Sequence, residues 1–390
     1  MTRGFGHRGD REGSATCYPV TVVHDYFTQR GGAERVAILL AQGHGEGAIT
    51  TSAVVPGQTF PDVADLRVRE LMRRLPRPLA RRRAALGPFA GLAFITHRVD
   101  DGVVVASTSG WAHWMRGRAP RVLYCHTPAR WLYEPDDYFK DLPPAVRRVL
   151  GIVLRPLKAI DRRRMCSAQV VVANGPVTAE RIKRVYGIDA PVVIPPPGID
   201  VSGPQEPVEG VRGNFCLTVS RPRSYKNTGV ITSVFAERGR EQLVVVGGVA
   251  RPSTEDSVLE VGRVSDAQLR WLYAHASAVI CVAREDLGLV PIEAFQFGTP
   301  AVALRAGGYL ATCTPGRNTV FVDSEDADAL ERALDELAAA PLPRETVLES
   351  AEEFSVRHFR HAMEELIAAA CADDGTRWAR PAQERSGPDA

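Results

Sequence analysis

AREDLGLVPIEAFQFGTPAVA, residues 283–303, is the stretch on which the reading of the fold turns. An apolar run, AVICVA (residues 278–283), leads into it, short, uncharged and rich in branched side chains, as a buried strand requires. A short helical run beginning near Pro291 leads out of it, because proline is favoured where a helix N–H would be unpaired anyway. Gly298 followed by Thr299-Pro300 then stops that helix. Glu285 therefore falls on the loop after a strand, and Glu293 falls one turn into the helix. Between them lie Asp286, Leu287, Gly288, Leu289 and Val290, with Gly288 free to take dihedrals denied to other residues and with backbone amides ahead of a helix, where an anion is welcome. Carboxylates for hydroxyls beside amides for phosphate suit a sugar nucleotide.

The same alternation of strand and helix extends outward on both sides. FCLTVS (215–220), LVVVGG (243–248), PAVAL (300–304) and TVFVD (319–323) read as strands of a mostly parallel sheet, and Ser265 with Gln268 forms a capping-box pattern at the start of a helix. Arg221 and Lys226 follow the first of these strands; two cations at a strand's end, one a planar fork and one a point charge, are expected at a diphosphate. Gly307-Gly308 marks another strand end.

Upstream, PVTVVH (19–24) precedes Gly31-Gly32 at a strand-to-helix turn, where glycines serve either a tight turn or the close approach of a ligand to backbone. VVVAST (103–108) and RVLYC (121–125) are buried strands, and QVVVANGPVTAERIKRVYGIDAPVVI gives strand, turn, helix and strand. His126 lies directly at the end of RVLYC, before the turn at Thr127-Pro128. A lone histidine is ordinarily a satisfied core side chain, but in open α/β sheets ligands bind outside the carboxyl ends of strands, which favours a ligand contact here. His97, His113 and His275 have no such setting.

The chain then breaks on Pro195-Pro196-Pro197-Gly198, stiff residues that cannot continue any element, and this is the natural hinge. The expected organisation is a polar disordered tail over 1–16, a first α/β domain over 17–198, a second over 199–350, an amphipathic helix over 351–372 and a disordered tail over 373–390.

Composition narrows the function. Of the 390 residues 45% are hydrophobic and 24% charged, which describes a soluble globular protein. The longest nearly uncharged apolar run, LGPFAGLAFI (86–95), is far shorter than the roughly 20 residues of a membrane span. No leader-like pattern opens the chain, and seven cysteines lie scattered without a CxxC, so reduced thiols, a cytoplasmic location and no metal site are expected. The net charge of +2 hides dense cationic stretches, LRVRELMRRLPRPLARRR (66–83) and RRVLGIVLRPLKAIDRRR (147–164). Such a face is either simply solvated or docks on an anionic membrane or a phosphorylated acceptor. Nucleic acid is disfavoured, since no aromatic stacking platform accompanies the charge. The chain also lacks GxGxxG after its first strand, GxxxxGK[ST] and GxSxG.

Seven pieces in order resemble the retaining family-4 glycosyltransferases of GT-B fold: HDYFTQRGGAERV, YCHTPARWLYEPDDYF, ANGPVTAERIKRVYG, VSRPRSYKN, GRVSDAQLRWLY, EDLGLVPIEAFQFGTPAVA and RAGGY. The resemblance implies two Rossmann-like parallel-sheet domains facing a cleft, with the C-terminal helix crossing back to the first. It makes Arg221 and Lys226 the diphosphate clamp, and gives donor-sugar hydroxyls to Glu285 beside the amides of Asp286, Leu287, Gly288, Leu289 and Val290. Glu293 would take the ribose hydroxyls, and His126 the donor sugar from across the cleft. Gly31 and Gly32 would leave room for diphosphate and acceptor, and Arg263 and Val264 would sit in the base-reading loop. The HDY, GGAER and CHTP subgroup is concerned with polysaccharide and glycolipid assembly, often with GDP-mannose as donor. The resemblance further implies no cofactor and no metal, retention by front-face attack, and a hydroxyl acceptor that can be lipid-linked. Ala311 after the GGYL run, and Asn318-Thr319 before the last strand, depart from the family pattern. A sugar-nucleotide 2-epimerase of the same architecture and a degenerate membrane-surface binding module are the alternatives.

Overall fold

The computed structural model describes residues 19–73, 83–140, 142–219, 227–247 and 257–372. Its strands form two six-stranded sheets. The first orders its strands β3-β2-β1-β4-β5-β6, comprising β1 (Val20–His24), β2 (Ala48–Thr51), β3 (Arg67–Glu70), β4 (Val103–Thr108), β5 (Arg121–Cys125) and β6 (Val170–Ala173). The second orders them β12-β11-β10-β7-β8-β9, comprising β7 (Phe215–Val219), β8 (Gln242–Val246), β9 (Val258–Gly262), β10 (Ala278–Cys281), β11 (Ala301–Leu304) and β12 (Thr319–Val322). Every pairing within the two sheets is parallel.

The apolar runs are continuous because both faces of each sheet are covered. In β4, Val103 and Val105 join one core cluster while Val104 and Ala106 join another. In β10, Val279 and Cys281 point one way, and Ala278 and Ile280 the other. Helices α1 (Gly32–His44), α2 (Arg83–Thr96), α3 (Pro144–Met165) and α4 (Pro176–Tyr186) belong to the first half, and α5 (Asp266–His275) and α6 (Leu289–Phe295) to the second. Ser265 caps α5 with the expected capping box, its hydroxyl accepting from the Gln268 amide.

The last helix, α7 (Val356–Cys371), follows the second half in sequence but packs on the first. Phe359, Met363, Ile367 and Ala370 line one stripe, at the 3.6-residue period, and are buried with Val22, Val105, Val122 and Tyr124. The Phe359, Met363 and Ile367 side chains each contribute about 1.5–3 kcal/mol when fully buried, so the stripe fastens the chain end to the first sheet.

Three elements differ from the sequence reading. Helix α6 begins at Leu289, because Gly288 takes a left-handed conformation (φ 73°, ψ 65°) and caps it, leaving Pro291 in the first turn. Residues 191–194 contribute only the isolated bridge Ala173↔Val192, since neighbouring prolines remove ladder donors. The cationic stretch 66–83 is not one amphipathic element: Arg67–Glu70 is the edge strand β3, exposing Arg67 and Arg69 while Val68 packs inward, and residues 74–82 lie outside the described residues. The expected tails over 1–16 and 373–390 also lie outside them.

Candidate functional site

Counted within itself, each sheet has the order 3-2-1-4-5-6, which reverses direction between its first and fourth strands. Ligands of open α/β sheets bind at that reversal, outside the carboxyl ends of the strands. In the first sheet the loops after β1 and β4 flank the reversal, and in the second those after β7 and β10 do so. The loop after β10 carries Glu285, Asp286, Leu287 and Gly288.

That loop is held by the turn after β11. The Gly308 amide donates to the Glu285 carbonyl at 2.8 Å. A Cβ on Gly308 would lie 2.3 Å from the Leu287 Cα, and one on Gly288 would lie 2.4 Å from the Tyr309 ring. The backbones are therefore in direct contact at positions where only glycine fits. Glu293, half-buried on α6, accepts a hydrogen bond of 2.7 Å from the Tyr273 hydroxyl of α5. Burial, and then the nearby Glu293 charge, push the Tyr273 hydroxyl well above its ordinary pKa, so it stays a donor.

Arg221 and Lys226 lie outside the described residues. Asn227, next in the chain, donates from Nδ2 to the Val282 carbonyl at 3.1 Å and so ties the chain there to the end of β10. Arg263 and Val264 follow the edge strand β9, with Arg263 exposed and Val264 packed on the second core.

The first half supplies the facing wall. Gly31 precedes α1 and Gly32 opens it, and a Cβ on Gly32 would lie 3.5 Å from the Leu289 Cδ1. A Cβ on Gly175, after β6, would lie 3.1 Å from the Leu287 Cδ1. Arg181 of α4 pairs with Asp286 at 2.5 Å, and Arg35 of α1 donates to the Gly198 carbonyl at 2.8 Å. The structure thus brings Gly32, Asp286, Leu287 and Leu289 to one interdomain contact, with Gly31 and Gly288 beside it in the chain. Glu293 lies near the hinge, about 4.0 Å from a Cβ on Gly198.

His126, half-buried at the end of β5, bonds through Nε2 to the Ser107 hydroxyl at 2.8 Å, and that hydroxyl also meets His24 Nδ1 at 3.1 Å. Burial and the neighbouring His24 lower the His126 pKa to about 3, so the ring is neutral. Asp25, next to His24, accepts from the amides of Ser109, Trp111 and Ala112 at 2.6, 2.9 and 2.6 Å and shapes the loop after β4.

Sequence reasoning passed over His24, Asp25, Ser107, Tyr273 and Arg181. The available signal was position, since His24 and Ser107 lie at the carboxyl ends of β1 and β4, beside the reversal. It also gave His113 no setting, whereas His113 is buried with Nε2 2.8 Å from Asp161, a partner far off in sequence. A cavity of about 1710 Å³ lies away from this cleft, on the flank of the first half, lined by Phe60, Met72, Phe89 and Leu92 with Arg30 and Arg69.

Comparisons with known proteins bear on both halves. Residues 30–202 match the family model described as Glycosyltransferase Family 4, and residues 204–354 match the one described as Glycosyl transferases group 1. The chain is 27% identical over 263 residues to a D-inositol 3-phosphate glycosyltransferase of Mycolicibacterium smegmatis, covering 60% of each chain. It is 30% identical over 241 residues to a second protein of that name from Catenulispora acidiphila, covering 53% of this chain and 56% of the other. The chain thus spans about 60% of the length of the first of these curated relatives. Among solved structures, Anabaena HepE in complex with UDP superposes with a TM-score of 0.64 at 16% identity, covering 90% of this chain and 100% of the other. Sucrose-phosphate synthase of Thermosynechococcus elongatus gives 0.63 at 17%, covering 91% and 99%. At these identities the superpositions establish the GT-B fold.

Proposed function

We propose that this chain, which carries a Glycosyltransferase Family 4 domain followed by a Glycosyl transferases group 1 domain, moves a hexosyl group from a nucleoside diphosphate sugar to a hydroxyl acceptor. One observation carries the reading: the loop of Glu285 to Gly288 is locked by Gly308 at the reversal of the second sheet and, with Leu289 after it, faces Gly175 and Gly32 of the first half.

In this reading Glu285 holds hydroxyls of the donor sugar, and Glu293, fixed by Tyr273, holds the ribose. Arg221 and Lys226 offset the charge that develops on the departing diphosphate. His126 meets the sugar from the other domain. The acceptor oxygen bonds to the anomeric carbon on the face from which the diphosphate leaves. The bond to the phosphate oxygen breaks with its electron pair, and that oxygen takes the acceptor's proton. Configuration is retained, no carboxylate need act as nucleophile, and no metal enters. Closure of the cleft excludes water.

The resemblance favours GDP-mannose and an acceptor in glycolipid or polysaccharide assembly. A second donor and acceptor pair, a UDP sugar with a phosphorylated cyclitol, is favoured by the names of the relatives and of the UDP-bound neighbour. A thermal-shift panel of GDP, UDP, ADP and dTDP sugars decides the donor, since a true donor stabilises by mass action. Glu285→Ala, Arg221→Ala and Lys226→Ala should each cut turnover strongly and leave the fold intact. Normal turnover in all three would sink the site.

Residues 66–83 would dock the enzyme on the anionic inner face of a membrane, with exposed Arg67 and Arg69 beside exposed Phe89 and Leu92 of α2. Unchanged binding to anionic vesicles after replacing the arginines of this stretch by glutamine would refute it.

A further inference from the structure

We propose that Ser107 and His24 are positioning residues that fix His126 as a neutral imidazole carrying its proton on Nδ1. The inference rests on the reading above, in which His126 contacts the donor sugar.

The polarity of the chain of hydrogen bonds follows from one group that cannot donate. His24 Nδ1 lies 3.2 Å from the Ser107 backbone carbonyl, and a carbonyl only accepts, so Nδ1 of His24 carries a proton. His24 Nε2 is buried without a partner among the described residues, in a ring 1% exposed and 4.9 Å from the Phe27 ring. The same Nδ1–H meets the Ser107 hydroxyl oxygen at 3.1 Å. That hydroxyl has one proton of its own, and His126 Nε2 at 2.8 Å is the acceptor in line for it. Were His126 to donate from Nε2 instead, two N–H groups would converge on one oxygen, and the buried hydroxyl proton would have no acceptor among the described residues. Nε2 of His126 is therefore an acceptor, and the ring proton is on Nδ1, which no described residue hydrogen-bonds.

The backbone holds this geometry. His24 and Ser107 are register partners on β1 and β4, and the His126 amide donates to the Thr108 carbonyl at 2.9 Å. All three side chains thus hang from the carboxyl ends of adjacent strands. The low pKa of His126, caused by burial and His24, agrees with a ring that stays neutral.

The consequence is chemical. With Nε2 occupied by Ser107 and Nδ1 protonated, His126 serves the donor sugar as a hydrogen-bond donor and has no free lone pair with which to take the acceptor's proton. That task is left to the departing phosphate.

The test is two-bond ¹H–¹⁵N correlation on the full chain labelled in histidine, with His126 assigned through His126→Gln. The wild type should show the Nδ1–H tautomer at His126. Ser107→Ala should shift the ring toward Nε2–H and lower kcat about tenfold with little change in donor KM, and Ser107→Thr should restore both. An Nε2–H tautomer in the wild type, or no change in Ser107→Ala, overturns the relay whatever the activity. A shifted tautomer with unchanged turnover overturns its catalytic consequence. Loss of turnover with every donor in the wild type would instead fault the proposed function, and the tautomer measurement would still decide the relay.

Discussion

Arg181 on α4 and Asp286 on the loop ahead of α6 meet at 2.5 Å and join the two domains across the mouth of the cleft. Their side chains are 24% and 53% exposed, so the pair contributes at most about 1 kcal/mol and is screened by salt. It is too weak to hold the fold, but it acts beside the Gly175–Leu287 and Gly32–Leu289 approaches and biases the cleft toward closure. Arg181→Ala should leave stability within about 1 kcal/mol and weaken binding of the cognate nucleoside diphosphate a few-fold at low salt. At 1 M salt the difference from wild type should shrink. Calorimetric titration with UDP and GDP at both salt concentrations checks this, and equal affinity of the two proteins at low salt would count against it.

The buttress between the loops after β10 and β11 leaves no space for a side chain. A Cβ at Gly308 would lie 2.3 Å from the Leu287 Cα, with backbone atoms that cannot step aside, so Gly308→Ala must displace the Glu285 loop. We expect a loss of about 1–3 kcal/mol in stability together with loss of nucleotide-sugar binding. Gly151→Ala is the control, since a Cβ there meets nothing within 4 Å inside helix α3, and it should be neutral or slightly stabilising. Urea melts and donor titrations on both variants suffice. A Gly308→Ala protein that binds donor normally would remove the buttress from the argument.

The sequence was readable where the physics is local. Strands β4, β5, β10 and β11 are covered on both faces and so appear as unbroken apolar runs. Glu285, Gly288 and Glu293 fall within one stretch whose strand, loop and helix follow from neighbouring residues. Two of the four edge strands were not readable: β3 reads RVRE and β9 contains Glu260, whereas the other two, β6 and β12, keep apolar runs. The groups that position the site were equally hidden. Tyr273 lies 20 residues from Glu293, Ser107 lies 83 from His24, and Arg181 lies 105 from Asp286, and no short period encodes such pairings. Only the parallel topology, which stacks strand ends side by side, brings them together.

His44, in the last turn of α1, is buried against α7, and burial together with the Arg360 charge lowers its pKa from 6.5 to about 4. The folded state therefore binds fewer protons than the unfolded state across this interval, and stability rises with pH there. The contribution is complete above about pH 6.5 and is lost progressively as the pH falls toward 4, on the order of 2–3 kcal/mol in all. His44→Gln should flatten the dependence. Urea denaturation at pH 7.5, 6.0 and 5.0 measures it, and the difference between variant and wild type isolates His44 from the carboxylates. Parallel pH profiles for the two proteins would rule His44 out as the source.

Asp161, in the last turns of α3 and fully buried, gathers four donors: His113 Nε2 at 2.8 Å, Trp114 Nε1 at 2.9 Å, and the hydroxyls of Tyr133 and Tyr186 at 2.8 and 2.7 Å. Burial pushes its carboxyl up, but the His113 charge and these hydrogen bonds outweigh that and hold its pKa below the ordinary carboxylate value. The donors come from the loop after β4, from the short helix Arg130–Tyr133 that follows the His126 turn, and from the end of α4. Asp161→Ala strands all four in an apolar setting, and loss of one partner of a buried pair costs about 3–5 kcal/mol. Asp161→Asn keeps the shape but removes the charge and turns an amide N–H toward other donors, so it should cost less and still loosen the turn that carries His126. We expect a lower urea midpoint for both variants, larger for alanine, and a reduced kcat in asparagine under conditions where it remains folded. An unchanged midpoint in Asp161→Ala would mean that the packing around the two tyrosines, rather than the carboxylate, holds these three segments together.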